Sequence, residues 1–191
     1  MTKYINKILT LVMLLITGVI TIWNINNNHY DRLFSCISII IVVIIPIILN
    51  KTIFYLEDKD KFIFNIFIFL AHFLGSIVNL YNSIWWYDLF THYLSGAFAS
   101  TIAIFIMKRL NKYNYHDILF NILFALGITF LSAGVWEILE FSSDIIFNTN
   151  LQHHIETGVK DTMEDIIAAF LGSITWLFIY LFTIKRKIKY E

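Results

Sequence analysis

Six long stretches of hydrocarbon leave this chain few ways to fold. Residues 5–23, 33–49, 62–80, 90–107, 118–141 and 166–184 are almost wholly apolar, and a bilayer-crossing helix needs about 20 such residues. The runs are rich in Ile, Val and Phe, which favour strands in water. In lipid, however, every backbone N–H and C=O must be satisfied within the segment, and runs of this length do so as helices. They are too long and too continuous for the alternating strands of about ten residues found in an outer-membrane barrel. With 58% apolar and 15% charged residues, the chain also departs from soluble domains, which carry about 25% charge. The expected fold is therefore all-α: a polytopic transmembrane helix bundle of six spans. Residues 1–191 form a single integral membrane domain, with the first three spans in 1–81 and the polar motifs in 82–191.

Lys3 and Lys7 precede the first run as they would in a signal peptide. That run ends in TIWNINNN, with no small-residue cleavage site, so it reads as a retained helix. Orientation follows from the basic residues between spans. Twelve fall on one side (Lys3, Lys7, Lys51, Lys59, Lys61, Lys108, Arg109, Lys112, Lys185, Arg186, Lys187 and Lys189), and only Arg32 and Lys160 fall on the other. This asymmetry places both termini in the cytoplasm, which an even number of spans requires. The outer side then holds nine acids against two basic residues. Acids contribute little to topology, so the excess points to a bound cation or to acids held protonated.

The remaining composition is less informative. A net charge of zero lacks the basic footprint of a nucleic-acid binder. Cys36 cannot form an internal disulfide and reads as a small buried hydrophobe. Pro46 is tolerable in a span where neighbouring helices satisfy the freed carbonyl. Trp23, Trp85, Trp86, Tyr87 and Trp136 fall near the expected outer interface, as an aromatic belt would.

Residues 135–165 hold seven of the fourteen carboxylates. Three helix ends bring charge to the outer face. Asp88 and His92, four apart, share a face with Ser95 and Gly96. Glu137, Glu140 and Asp144 form a stripe at the end of the fifth span, and Asp161, Glu164 and Asp165 another at the start of the sixth. Asp161 or Thr162 also suits a helix cap, and acids in a first turn favour the dipole. Glu137 and Glu140 oppose the dipole of their helix and need a partner, for which His92 is the obvious imidazole. Such a set can bind a hard divalent cation through oxygen, with the histidine suiting a transition metal. It can equally form a structural polar cluster, or a substrate or proton site. His153 and His154 read as solvated loop residues, and His72, in mid-span, as a packing histidine.

These residues carry a resemblance. The pattern Tyr87-Asp88-x-x-x-His92-x-x-x-Gly96, then Trp136-Glu137-x-x-Glu140-Phe141-x-x-Asp144, Asn150-x-Gln152 and Gly158-Val159-x-Asp161-Thr162-Met163-x-Asp165, leading to Gly172, resembles the YjdF-like small polytopic bacterial membrane proteins. More distantly it resembles the VanZ-like superfamily. The likeness covers roughly residues 87–173. It implies a multi-pass protein of the bacterial cytoplasmic membrane in which Asp88, His92, Glu137, Glu140, Asp161 and Asp165 form one site. The VanZ-like branch is associated with low-level glycopeptide resistance, which implies envelope physiology. The site is then expected to bind a divalent cation or the polar head of a lipid-linked envelope molecule, with membrane lipids as the surrounding partner. Candidate metal ligands are Asp88, His92, Glu140, Asp161 and Asp165. One alternative is a metal-dependent hydrolase or transferase on a lipid-linked substrate, with Asp88, Glu140, Asp161 and Asp165 as ligands or base. Another is a small-solute or proton-coupled transporter. No nucleophile elbow or zinc-protease motif is present.

Overall fold

In a computed structural model, which describes residues 2–29, 33–49, 51–152 and 157–190, the protein is built of helices, with no strand among the described residues. In chain order these are α1 (Thr2–Asn26), α2 (Leu33–Leu49), α3 (Asp58–Ile68) with a π-helical continuation (Phe69–Ile77), α4 (Leu80–Ser83), α5 (Tyr87–Arg109), α6 (Ile118–Phe147) and α7 (Lys160–Tyr190). Among the described residues, five stretches are long and apolar enough to cross a membrane: Lys3–Asn26, Asp58–Ile77, Tyr87–Arg109, Ile118–Phe147 and Lys160–Thr183. The predicted second span corresponds to α2, which at 17 residues is at the short limit for crossing. Large apolar side chains such as Leu119, Leu123, Leu131, Ile138 and Ile145 are exposed. That is untenable in water at this density and ordinary against lipid tails. Asp31, Arg32, His153, His154 and Glu156 lie outside the described residues.

The chain separates into two compact units. The first comprises residues 1–87 and 143–149, and the second 88–142 and 150–191. In the first, amides tie α1 to its neighbours. Asn6 donates to the Asp58 carbonyl at 2.8 Å, Asn65 to Thr10 Oγ1 at 3.4 Å, and Asn24 to the sulfur of buried Cys36 at 3.8 Å. The third predicted span departs from a regular α-helix. The Val78 N–H reaches back five residues to the Phe73 carbonyl at 3.0 Å, and Asn79 turns left-handed at φ 70°. Within the π segment, Gly75 lies where any β-carbon would strike the Tyr81 ring, and the Tyr87 hydroxyl donates to the Leu70 carbonyl at 2.9 Å.

In the second unit, α5, α6 and α7 each bury one residue at every fourth position. The rows are His92, Gly96, Ser100 and Ile104 on α5; Asn121, Ala125, Thr129, Ala133 and Glu137 on α6; and Asp165, Ala169, Ser173 and Leu177 on α7. Rows at this spacing are the ridges by which helices interdigitate. The pairs His92–Asp165, Gly96–Ala169 and Ser100–Ser173 share one sequence separation, 73 residues, so α5 and α7 run parallel in fixed register.

The three helices thus stack side chains in layers. Acids and His92 occupy one end, followed by Gly96, Ala169 and Gly172, where α5 and α7 meet backbone to backbone. Beneath them lie the buried hydroxyls of Ser100, Ser173 and Thr129, with Ser100 Oγ 2.6 Å from Ser173 Oγ and 3.5 Å from Thr129 Oγ1. An apolar layer of Ala103, Ala125 and Leu177 comes next. The Tyr180 and Tyr113 hydroxyls pair at 2.8 Å beyond it. Interhelical hydroxyl bonds in membranes contribute about 0.6–1 kcal/mol. Ser173→Ala is expected to lower resistance to denaturant by about that amount, and Ser100→Ala added to it by little more, since the two share one bond. Unchanged unfolding midpoints for both would show that the hydroxyl layer adds nothing to packing.

Candidate functional site

The site is assembled from α5, α6 and α7 at the acidic end of this stack, wholly within the second unit. On α5, Asp88 sits in the first turn and His92 one turn deeper. The spacing of four places the imidazole Nε2 3.5 Å from Asp88 Oδ1. The register with α7 places the same nitrogen 3.6 Å from Asp165 Oδ2. Both distances exceed the usual N–H···O range of 2.7–3.2 Å. From α6 come Glu137 and Glu140, three residues apart and therefore on one face.

Two overlapping groups of ligand atoms result. Asp88, His92 and Asp165 each offer one atom within 4.8 Å of the others, and so do Glu137, Glu140 and Asp165. Asp165 belongs to both and is only 2% exposed. His92, Glu137 and Glu140 are also buried, whereas the Asp88 side chain is 27% exposed and forms the accessible edge.

Neighbouring groups hold part of this set in place. The Trp136 indole N–H donates to Glu140 Oε1 at 2.7 Å. Gln152 Nε2 lies 3.3 Å from the Glu137 carbonyl, 3.4 Å from Glu137 Oε2 and 3.3 Å from Thr162 Oγ1. The amide thereby ties the loop after α6 to α6 and to the first turn of α7. Glu137 Oε1 is fully buried and accepts no hydrogen bond from the described residues, a condition costing about 1–3 kcal/mol or more for a charged group.

Of the eight residues singled out from the sequence, five are thus brought together: Asp88, His92, Glu137, Glu140 and Asp165. Asp161 is half-buried one turn above Asp165 on α7 and stands outside both ligand groups. Glu164 is exposed and pairs with Lys160 at 3.5 Å. Asp144 accepts from Thr149 Oγ1 at 2.6 Å, inside the first unit. Spacing alone placed Glu164 and Asp144 with the rest because a helical stripe is broad, and residues three and four apart diverge in direction as the row lengthens. Trp136, read as a belt residue, holds a carboxylate. The signal for that was its placement four residues before Glu140.

Charge makes the cluster costly. An acid at mid-span costs about 2.5–3.5 kcal/mol on insertion scales. Nearer a span's end the cost is lower, yet four acids together still weigh against a net domain stability of only about 5–15 kcal/mol. One imidazole cannot offset four carboxylates, so protons or cations must complete the balance.

Comparison with other proteins agrees with the membrane architecture. A protein of Thermotoga maritima, described only as an uncharacterized protein, is 26% identical over 120 residues. The match covers 63% of this chain and 60% of that relative's length. No solved structure matches. The profile of a family described as "Predicted membrane protein (DUF2238)" matches residues 8–186, and the chain belongs to that family of membrane proteins.

Proposed function

We propose that this is a cation-binding membrane protein in which Asp88, His92, Glu137, Glu140 and Asp165 hold a divalent ion within the outer half of the spans. The observation that carries the reading is the position of His92 Nε2, 3.5 and 3.6 Å from two carboxylates of different helices. Two ligand atoms bound to one metal at about 2.0–2.2 Å in tetrahedral geometry lie about 3.4 Å apart. The separation is long for a hydrogen bond, within the reach of an ion pair, and close to that of two ligands on one ion. The half-exposed Asp88 gives the ion its route in.

The apolar layer of Ala103, Ala125 and Leu177 beneath the hydroxyls favours an ion that is held over one conducted through this unit. The resemblance to YjdF-like and VanZ-like proteins supports a place in the bacterial cytoplasmic membrane and a role in the envelope, with the ion presenting its open side to a polar headgroup. Elemental analysis of detergent-purified protein tests the reading. At least one divalent metal per chain is expected in the wild type and a near-complete loss in Asp165→Asn. Metal-free wild-type protein, after loading with Mn²⁺, Zn²⁺ and Ca²⁺ in turn, would sink it.

The basic-residue asymmetry further supports six spans with both termini in the cytoplasm. A cysteine introduced by Lys112→Cys in a Cys36→Ala background is expected to resist a membrane-impermeant thiol reagent applied to whole cells. It should react after the cells are opened. Labelling from outside would invert the topology and place the acidic site at the cytoplasmic face.

A further inference from the structure

The ligands of the site just described fall into two overlapping sets. Four ionised carboxylates carry four negative charges, and one divalent ion with a neutral His92 leaves two to be met by protons or by a second cation. Two divalent ions bring the sum to zero. The ligand atoms divide in the same way, as Asp88–His92–Asp165 and Glu137–Glu140–Asp165, with every atom in a group within 4.8 Å of the others and Asp165 common to both. Glu137 supplies an independent sign that a further partner is due: the residue is 6% exposed, and its Oε1 is buried with no hydrogen-bond donor among the described residues. His92 faces Asp88 and Asp165, whereas Glu137 falls only in the second group.

We infer that the site holds two divalent cations, bridged by the Asp165 carboxylate. One lies in a mixed nitrogen and oxygen set (Asp88, His92, Asp165), and the other in an all-oxygen set (Glu137, Glu140, Asp165). The inference rests on the cation reading above and adds the number and kind of ions. The donors give the two positions different tastes. Imidazole with carboxylates suits a first-row transition ion, and three carboxylates suit a harder ion. Mn²⁺ is acceptable to both, which makes it the probe. Paired ions on a shared carboxylate are the arrangement that two-metal phosphate chemistry uses, with ions about 3.5–4 Å apart. The ligand class that such a pair would recognise at the half-exposed Asp88 edge is a phosphate or pyrophosphate ester.

The test is Mn²⁺ loading of the full-length protein in detergent, read by metal stoichiometry and by electron paramagnetic resonance. The wild type is expected to retain two Mn²⁺ per chain and to show the exchange-coupled signal of a close pair. His92→Ala and Glu140→Gln are each expected to retain one, with the coupled signal lost. Glu164→Gln, outside both groups, should keep two. One Mn²⁺ in the wild type, or two without coupling, overturns the paired site and leaves the single-cation reading standing. None overturns both. Two coupled ions surviving in His92→Ala would overturn the assignment of the first position. The wild-type spectrum decides the count even where a variant does not fold.

Discussion

Gly96→Ala and Gly172→Ala are each expected to destabilise the protein by about 3 kcal/mol or more, while Gly127→Ala and Gly134→Ala are expected to be neutral or to stabilise it. A β-carbon at Gly96 would overlap the backbone carbonyl of Ala169, and one at Gly172 that of Tyr93. Neither obstacle is a side chain that can rotate away, so α5 and α7 would have to part. Overpacking a well-filled interior costs about 1–3 kcal/mol even when side chains absorb it, and separating two backbones also strips contacts along the neighbouring turns. Parting the helices would also break the Ser100–Ser173 bond below and pull His92 from Asp165 above. At Gly127 and Gly134 an added methyl meets nothing within 4 Å, and alanine is favoured over glycine in a helix by about 0.5–1 kcal/mol. Unfolding midpoints in a fixed detergent, across the four variants, test the contrast. Equal effects at all four glycines would refute the backbone contact between α5 and α7.

Asp165→Asn is expected to change stability with opposite signs depending on whether cations are present. Without divalent ions, the substitution removes one of four carboxylates packed at 2–8% exposure or at the edge of the cluster. Like charges in a poorly hydrated site repel, so the variant should melt at or above the wild type. With a divalent ion at a hundred times its dissociation constant, the wild type gains about 2.7 kcal/mol by mass action for each site filled. The variant lacks the ligand common to both groups and should gain almost nothing. The order of melting temperatures therefore reverses when Mn²⁺ is added and returns on chelation. A purely structural role for Asp165 predicts that the variant is weaker under both conditions. That outcome, with no Mn²⁺ shift in the wild type, would remove the cation from the account.

Much of this protein is legible in its sequence because lipid allows few solutions. An apolar run of about 20 residues has only one economical backbone, and residues 90–107 and 118–141 fall inside α5 and α6 for that reason. The i, i+4 pairing of Asp88 with His92 was equally readable, since it lies within a single helix. Spacing could not say which face of each helix turns inward. Glu164 is adjacent to Asp165 in the chain, yet the first is exposed beside Lys160 and the second is buried. That difference is set by which face α7 turns toward α5, fixed where two glycines close to backbone contact. Contacts at a separation of 73 residues leave no periodic trace in one sequence. Composition and hydropathy thus gave the helices and the acids to be accommodated. The packing of three helices selected which acids share His92, because only close approach in space turns scattered charges into a site.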